Sequence, residues 1–163
     1  STLPCWVTSH PIITYYNRAQ SAKGINMNIT GGCHCGELAY TAKIDPEKVY
    51  ICHCSDCQTL SASAFRTVVK SAPAGLTFTK GQAKEYIKTA ESGNQRAQGF
   101  CQNCGTAIYA TSVGDEARIY NIRVGSIEQR DELVPSVQTW CRSAQSWLHN
   151  IENLPAFDAG LQS

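Results

Sequence analysis

The chain has 163 residues, 42% of them hydrophobic, with 14 Lys plus Arg against 13 Asp plus Glu. That length suits one domain with a real core, and the near-neutral balance lacks the basic footprint of a nucleic-acid binder. Hydrophobic residues fall in short groups rather than in a run of roughly 20, so no stretch reads as a membrane span. Neither nucleic acid nor a membrane is an expected partner.

Residues 1–26 differ from the rest of the chain. They carry an isolated Cys5 and Trp6, no glycine before Gly24, and neither the charged start nor the long apolar core of a secretory signal. Met27 is the only methionine. The expected organisation is a leader or extension over 1–26 and a single domain over 27–163. A competing reading makes Ile12, Ile13, Tyr15 and Tyr16 a strand-like arm, since these residues favour extended backbone.

From Met27 the chain reads as short strands. Leu38, Tyr40 and Ala42 alternate along 37–43, and 48–52 is a second strand, with Asp45-Pro46 expected to break the two apart. Strands at 65–70, 76–79, 84–89 and 95–101 come next, punctuated by Pro73, Gly75, Gly81 and a hairpin turn at Ser92-Gly93-Asn94. A further hairpin joins 106–111 to 118–124, with Gly114-Asp115 at its tip. Helix is confined to short pieces at 57–62, 127–132 and 143–149. The fold class is therefore mainly β, built of short antiparallel pairs. Trp140, Trp147, Leu148, Leu154, Pro155 and Phe157 are expected to form a flap that closes the core.

Seven of the nine cysteines sit in three clusters: Cys33 and Cys35; Cys52, Cys54 and Cys57; Cys101 and Cys104. A structural zinc is closed by four protein ligands, whereas a catalytic zinc keeps three and leaves one position open. Cys33, Cys35, Cys101 and Cys104 make the natural set of four, because each pair is followed by a glycine, Gly36 or Gly105, that lets the backbone turn tightly. Cys52, Cys54 and Cys57 then form the open set. A second closed site, completed by His34, His53 or Cys141, is the bland alternative. Disulfides fit poorly: the count is odd, and C-x-C sulfurs are badly placed to bridge in extended backbone. Reduced thiolates on metal in a cytosolic setting are expected instead.

Gly31-Gly32-Cys33-His34-Cys35-Gly36, Cys52-His53-Cys54-Ser55-Asp56-Cys57 and Phe100-Cys101-Gln102-Asn103-Cys104-Gly105 occur in that order. With Val124-Gly125-Ser126-Ile127, Pro135, Trp140, Trp147, Leu154-Pro155 and Phe157, the chain resembles the glutathione-dependent formaldehyde-activating enzyme family, which includes the centromere protein V domain. The resemblance runs over 27–157. It implies a β-tent fold, a structural zinc on Cys33, Cys35, Cys101 and Cys104, and an active-site zinc on Cys52, Cys54 and Cys57. It also implies a carbon-sulfur lyase activity, the condensation of formaldehyde with glutathione to S-hydroxymethylglutathione, and glutathione enters as co-substrate on this ground alone.

On that reading a small-molecule thiol, or its aldehyde adduct, is the partner. The metal would hold the thiol as thiolate rather than polarise the carbonyl, because three thiolates already make it electron-rich. No general base stands out. His53, between two ligands, should point away from them as a supporting or surface residue. His34 is treated alike, and Asp56 is assigned to its own loop's amides. Arg66 and Lys70 are read as a solvated strand face that a substrate carboxylate could meet. Cys141, beside Arg142, is either a reactive thiol or an inert buried one. Two other classes remain: a non-catalytic zinc-binding interaction module, and a thiol redox enzyme. Oligomeric state has no signal in the sequence.

Overall fold

The computed structural model describes residues 26–114 and 116–161. The expected leader or strand-like arm over 1–26 lies, but for its last residue, outside the described residues, as does Asp115 at the second hairpin tip. Eight strands make one sheet: β1 (Met27–Gly32), β2 (Ala39–Cys52), β3 (Arg66–Lys80), β4 (Lys84–Thr89), β5 (Gln95–Phe100), β6 (Ala107–Ser112), β7 (Asn121–Arg123) and β8 (Val137–Thr139). Their order is β1-β2-β3-β7-β6-β5-β4, antiparallel throughout, and β8 adds in parallel beside Tyr50–Cys52 of β2. The single α-helix among the described residues, α1 (Ser55–Ser61), comes directly after β2. Short 3-10 turns at Val124–Ser126, Arg130–Glu132, Cys141–Ser143 and Ser146–Asn153 take the places where helix was expected later in the chain.

Alternation decides which face is core. Val49 pairs with Val69, Val69 with Ile122 and Ile122 with Tyr109, so one row of apolar side chains crosses four strands on one face. Ile29, Tyr40, Ile44, Ile108 and Ile127 join them in one cluster, each 0–1% exposed. Burying an aliphatic side chain of this size is worth about 1.5–3 kcal/mol. β1 and β6 stand far apart in the strand order yet share this cluster, so the sheet curls upon itself. The 124–129 segment closes the gap: Gly31 bridges Ile127, and the Tyr40 hydroxyl meets Ser126 Oγ at 2.7 Å.

Three expectations need correction. Asp45-Pro46 does not end a strand; β2 runs through it, with pairing to β3 interrupted between Ile44 and Val49. Pro73 and Gly75 likewise sit inside β3, where 72–75 bows out and its freed amides find new acceptors, as in Ala74 N–H to the Arg118 carbonyl at 2.8 Å. A proline breaks a ladder only where its missing donor is needed, and at an irregularity it is not. Nor do the late aromatics close the core. Trp147, Leu154 and Phe157 are 49%, 56% and 67% exposed. Among the described residues no helix is long and apolar enough to cross a membrane.

Candidate metal centres and active-site cleft

Cys33 and Cys35 lie in the turn after β1, and Cys101 and Cys104 lie in the turn between β5 and β6. All four sulfurs fall within 4.8 Å of one another. Gly36 and Gly105 have φ of 77° and 76°, the left-handed region that glycine enters without penalty. The two turns are cross-linked through Thr106, whose Oγ1 accepts from the His34 amide at 3.1 Å and lies 3.1 Å from Cys104 Sγ. That hydroxyl, with the Thr106 amide, draws the Cys104 thiol down to about 5. The Leu38 amide donates to Cys33 Sγ at 3.1 Å. His34 is exposed and belongs to no metal-capable cluster among the described residues.

The second cluster is built at the junction of β2 and α1. Cys52 is the last residue of β2 and Cys54 is the N-cap of α1, where its Sγ accepts from the Cys57 amide at 3.3 Å. Cys57 stands in the helix's first turn. The three sulfurs again lie within 4.8 Å of one another, with no fourth His, Cys, Asp or Glu among the described residues in the group. A hydrogen bond from Cys57 pulls the Cys52 thiol down to about 5, and the same bond with burial pushes Cys57 far up. Three soft sulfur donors converging on one point are a ligand set suited to zinc.

His53 faces away from this set, as expected of a residue between two ligands. It is buried rather than at the surface: Nε2 meets Gln138 Oε1 at 2.8 Å, and the ring lies edge-on to Phe65. Gln58 of α1 fastens the region by donating to the carbonyls of His53 and Ser143 at 2.7 and 2.8 Å. Asp56 does not serve its own loop; it pairs with Lys88 of β4.

The triad opens onto a cleft of about 820 Å³. Its floor is the sheet face opposite the core row. Tyr50 pairs with Val68, Cys52 with Arg66 and Val68 with Arg123, so these residues share one face. The row continues through Asn121, Ala110 and Gln98. The tip of the β4–β5 hairpin and Trp140 form its walls. Trp140 has φ of 58°, a strained value for a large side chain, and Arg142 stacks 4.7 Å above its ring.

Arg66 is not on a solvated face. It is 6% exposed, and Arg123 is 7% exposed. Burial lowers both guanidiniums, Arg123 to about 10 with help from its neighbour Arg66, while the nearby thiols of the triad pull the other way. Lys70 alone is exposed as expected. Arg123, Lys88 and Gln98 were invisible as site residues in the sequence. The available signal was Asn121-Ile122-Arg123, a polar-apolar-polar strand that a doubly covered position in the middle of a sheet would not choose.

The family profile described as glutathione-dependent formaldehyde-activating enzyme matches residues 28–143. The chain belongs to that family. A search of curated proteins finds no significant match. Among solved structures, a Rhodobacter sphaeroides protein from a structural genomics programme is similar at a TM-score of 0.52 and 18% identity, over 68% of this chain and 100% of that one. At that identity the likeness speaks for the fold. Family membership ties the chain to glutathione-linked formaldehyde chemistry, and the seven clustered cysteines all lie within the matched residues, where the fold gathers them into two metal-capable clusters.

Proposed function

We propose that the protein is a zinc-dependent enzyme of the carbon-sulfur lyase type, which makes or breaks the bond between a thiol and an aldehyde carbon, with S-hydroxymethylglutathione as the reference adduct. One observation carries this reading: the three-cysteine cluster opens onto the cleft, whereas the four-cysteine cluster offers four ligands and lies outside that cleft. On this reading Cys33, Cys35, Cys101 and Cys104 hold a structural zinc, and Cys52, Cys54 and Cys57 hold one at the active site. The bound metal supplies stabilisation of a thiolate at neutral pH.

The chain's own residues do the rest. Cys52, Cys54 and Cys57 fix the point at which the substrate sulfur is held, and the sheet floor and Trp140 confine the aldehyde beside it. In the forward direction the S–C bond forms, the carbonyl π pair moves onto oxygen, and the thiol proton ends on that oxygen. Tyr50 faces this space, and burial pushes its phenol up to about 12, so it stays protonated as a donor to the developing alkoxide. His53 takes no part as base because it does not line the cleft; its Nε2 meets Gln138 on the far side of the cysteine set. Free thiols at all seven clustered positions fit a reducing compartment such as the cytosol.

The test is exchange of ¹³C-formaldehyde with glutathione, monitored by NMR. The expected result is faster interconversion of hydrated formaldehyde and adduct with the wild-type protein, lost in Cys57→Ser. Equal rates with and without protein, for glutathione and for smaller thiols alike, would leave a binding module as the better reading.

A further inference from the structure

Among the described residues, four buried side-chain atoms have no hydrogen-bond partner: His53 Nδ1, Arg66 Nη2, Arg123 Nε and Asn121 Oδ1. Three of the four lie on the cleft floor. Arg66 sits directly across the ladder from Cys52, and Arg123 is opposite Val68, two positions further along the same face. Both residues are more than nine-tenths buried. Among the described residues neither has a carboxylate partner; Arg123 donates one bond to Gln98 Oε1 at 2.8 Å, and that is a neutral acceptor.

Burying a guanidinium without an anion is costly, and burying two side by side adds repulsion. The thiolates compensate part of this. Three thiolates around a divalent cation leave one net negative charge, which balances one guanidinium and leaves the other in surplus. Two buried guanidiniums with unused N–H donors on the floor are matched by an anion that offers two oxygens, as a carboxylate does.

We propose that Arg66 and Arg123 form a carboxylate seat beside the cysteine triad, and that the enzyme's working substrates are short acids whose carboxylate lies within a few bonds of the reacting sulfur or carbonyl carbon. This rests on the thiol-aldehyde reading above and narrows it. Cross-strand neighbours are about 5 Å apart at Cα, so an anion held by Arg66 lies close to whatever Cys52 helps to hold. A mercapto acid would bring the carboxylate with the sulfur; a 2-oxo acid such as glyoxylate would bring it with the carbonyl. Asn121 supplies an amide group at the same floor for the remaining polar atom of such a ligand.

The experiment has two readouts on the full chain. Propionate, glyoxylate, 3-mercaptopropionate and the neutral 3-mercapto-1-propanol are titrated while the Arg Nε–H resonances are monitored by NMR. The two thiols are also titrated into Co²⁺-substituted protein, with the thiolate-to-metal absorption as the signal. The seat predicts saturable shifts at Arg66 and Arg123 with each carboxylate. It also predicts that 3-mercaptopropionate binds about tenfold to a hundredfold more tightly than the alcohol, the range of one charge-assisted contact. Arg66→Gln should bring the affinities of the two thiols within about twofold of one another, and Arg66→Lys should restore part of the preference.

The glyoxylate and mercapto acid arms separate the two sources of the carboxylate by which saturates at lower concentration. Arginine resonances indifferent to every carboxylate in the wild type would overturn the seat, whatever the variants do. A cobalt spectrum that answers both thiols equally would overturn it too, yet would leave the thiol reading standing. Carboxylates that bind the arginines while no thiol alters the cobalt spectrum would uphold the seat and remove the thiol reading instead.

Discussion

At the residue scale, ligand chemistry separates two kinds of cysteine that look alike in the sequence. Cys104→Ser removes one of four ligands from a cluster that joins the turn after β1 to the turn between β5 and β6. With the proposed structural zinc there, metal binding is part of folding, so the expected effect is a large loss of stability, seen as a fall in Tm and loss of a bound metal. Cys57→Ser should also lose a metal, with little change in Tm and loss of activity. Gly105→Ala is a milder probe. Its φ of 76° disfavours a Cβ, although the space around it is open, so the expected cost is about 1–2 kcal/mol in denaturant unfolding. The cysteines were legible because their spacing and the glycines after them dictate a local shape. Arg66 was not, because its burial depends on a cross-strand partner, Cys52, and on β7 covering its strand, neither of which a local pattern encodes.

At the element scale, α1 is short, has no buried residue and is capped by Cys54, one of the proposed ligands. What holds it is Gln58, which reaches the carbonyls of His53 and Ser143. Gln58→Ala should cost about 1–3 kcal/mol by leaving those carbonyls unpaired. It should also raise hydrogen exchange in both 53–58 and 139–145, whereas a substitution on the far side of the helix should not. β4, β5 and the turn at Ser92-Gly93-Asn94 were readable from alternation and turn chemistry. The continuity of β2 and β3 was not. Their breaks at Asp45-Pro46 and at 72–75 interrupt the same strand pair, and 118–120 receives freed amides of Ser71 and Ala74. Punctuation in one strand is therefore tolerated because of a segment almost fifty residues away, which no window along the sequence contains.

At the scale of the whole molecule, two features bear on how the curled sheet stays closed: the four-cysteine cluster, as the proposed zinc staple, and the buried tyrosines. Tyr40 is 1% exposed and burial pushes its phenol from 10.0 up to about 12. A raised phenol value means that the neutral form is favoured by folding. Its contribution is complete below about pH 10 and is lost as pH climbs through 12, about 3 kcal/mol in all. Zinc-loaded protein is therefore expected to lose stability across that window, measured by denaturant midpoint. Tyr40→Phe should reduce the alkaline loss, leaving the share of the other buried tyrosines, while costing about 1 kcal/mol at neutral pH through the bond to Ser126. The overall class, mainly β with two metal-capable clusters, was legible from cysteine spacing and alternation. The exposed aromatics beyond Trp140 were misread as core because apolarity alone does not say which surface covers a residue.

The central claim is that one cysteine cluster is closed and the other is open to a thiol. Native mass spectrometry of the protein in metal-free buffer, before and after excess glutathione, tests it most directly. Two zinc ions per chain are expected, one of them gaining glutathione or leaving when the thiol is added, and that response should vanish in Cys57→Ser while the other zinc stays. Two zinc ions indifferent to every thiol offered would contradict the claim, and would make Cys52, Cys54 and Cys57 a second structural site.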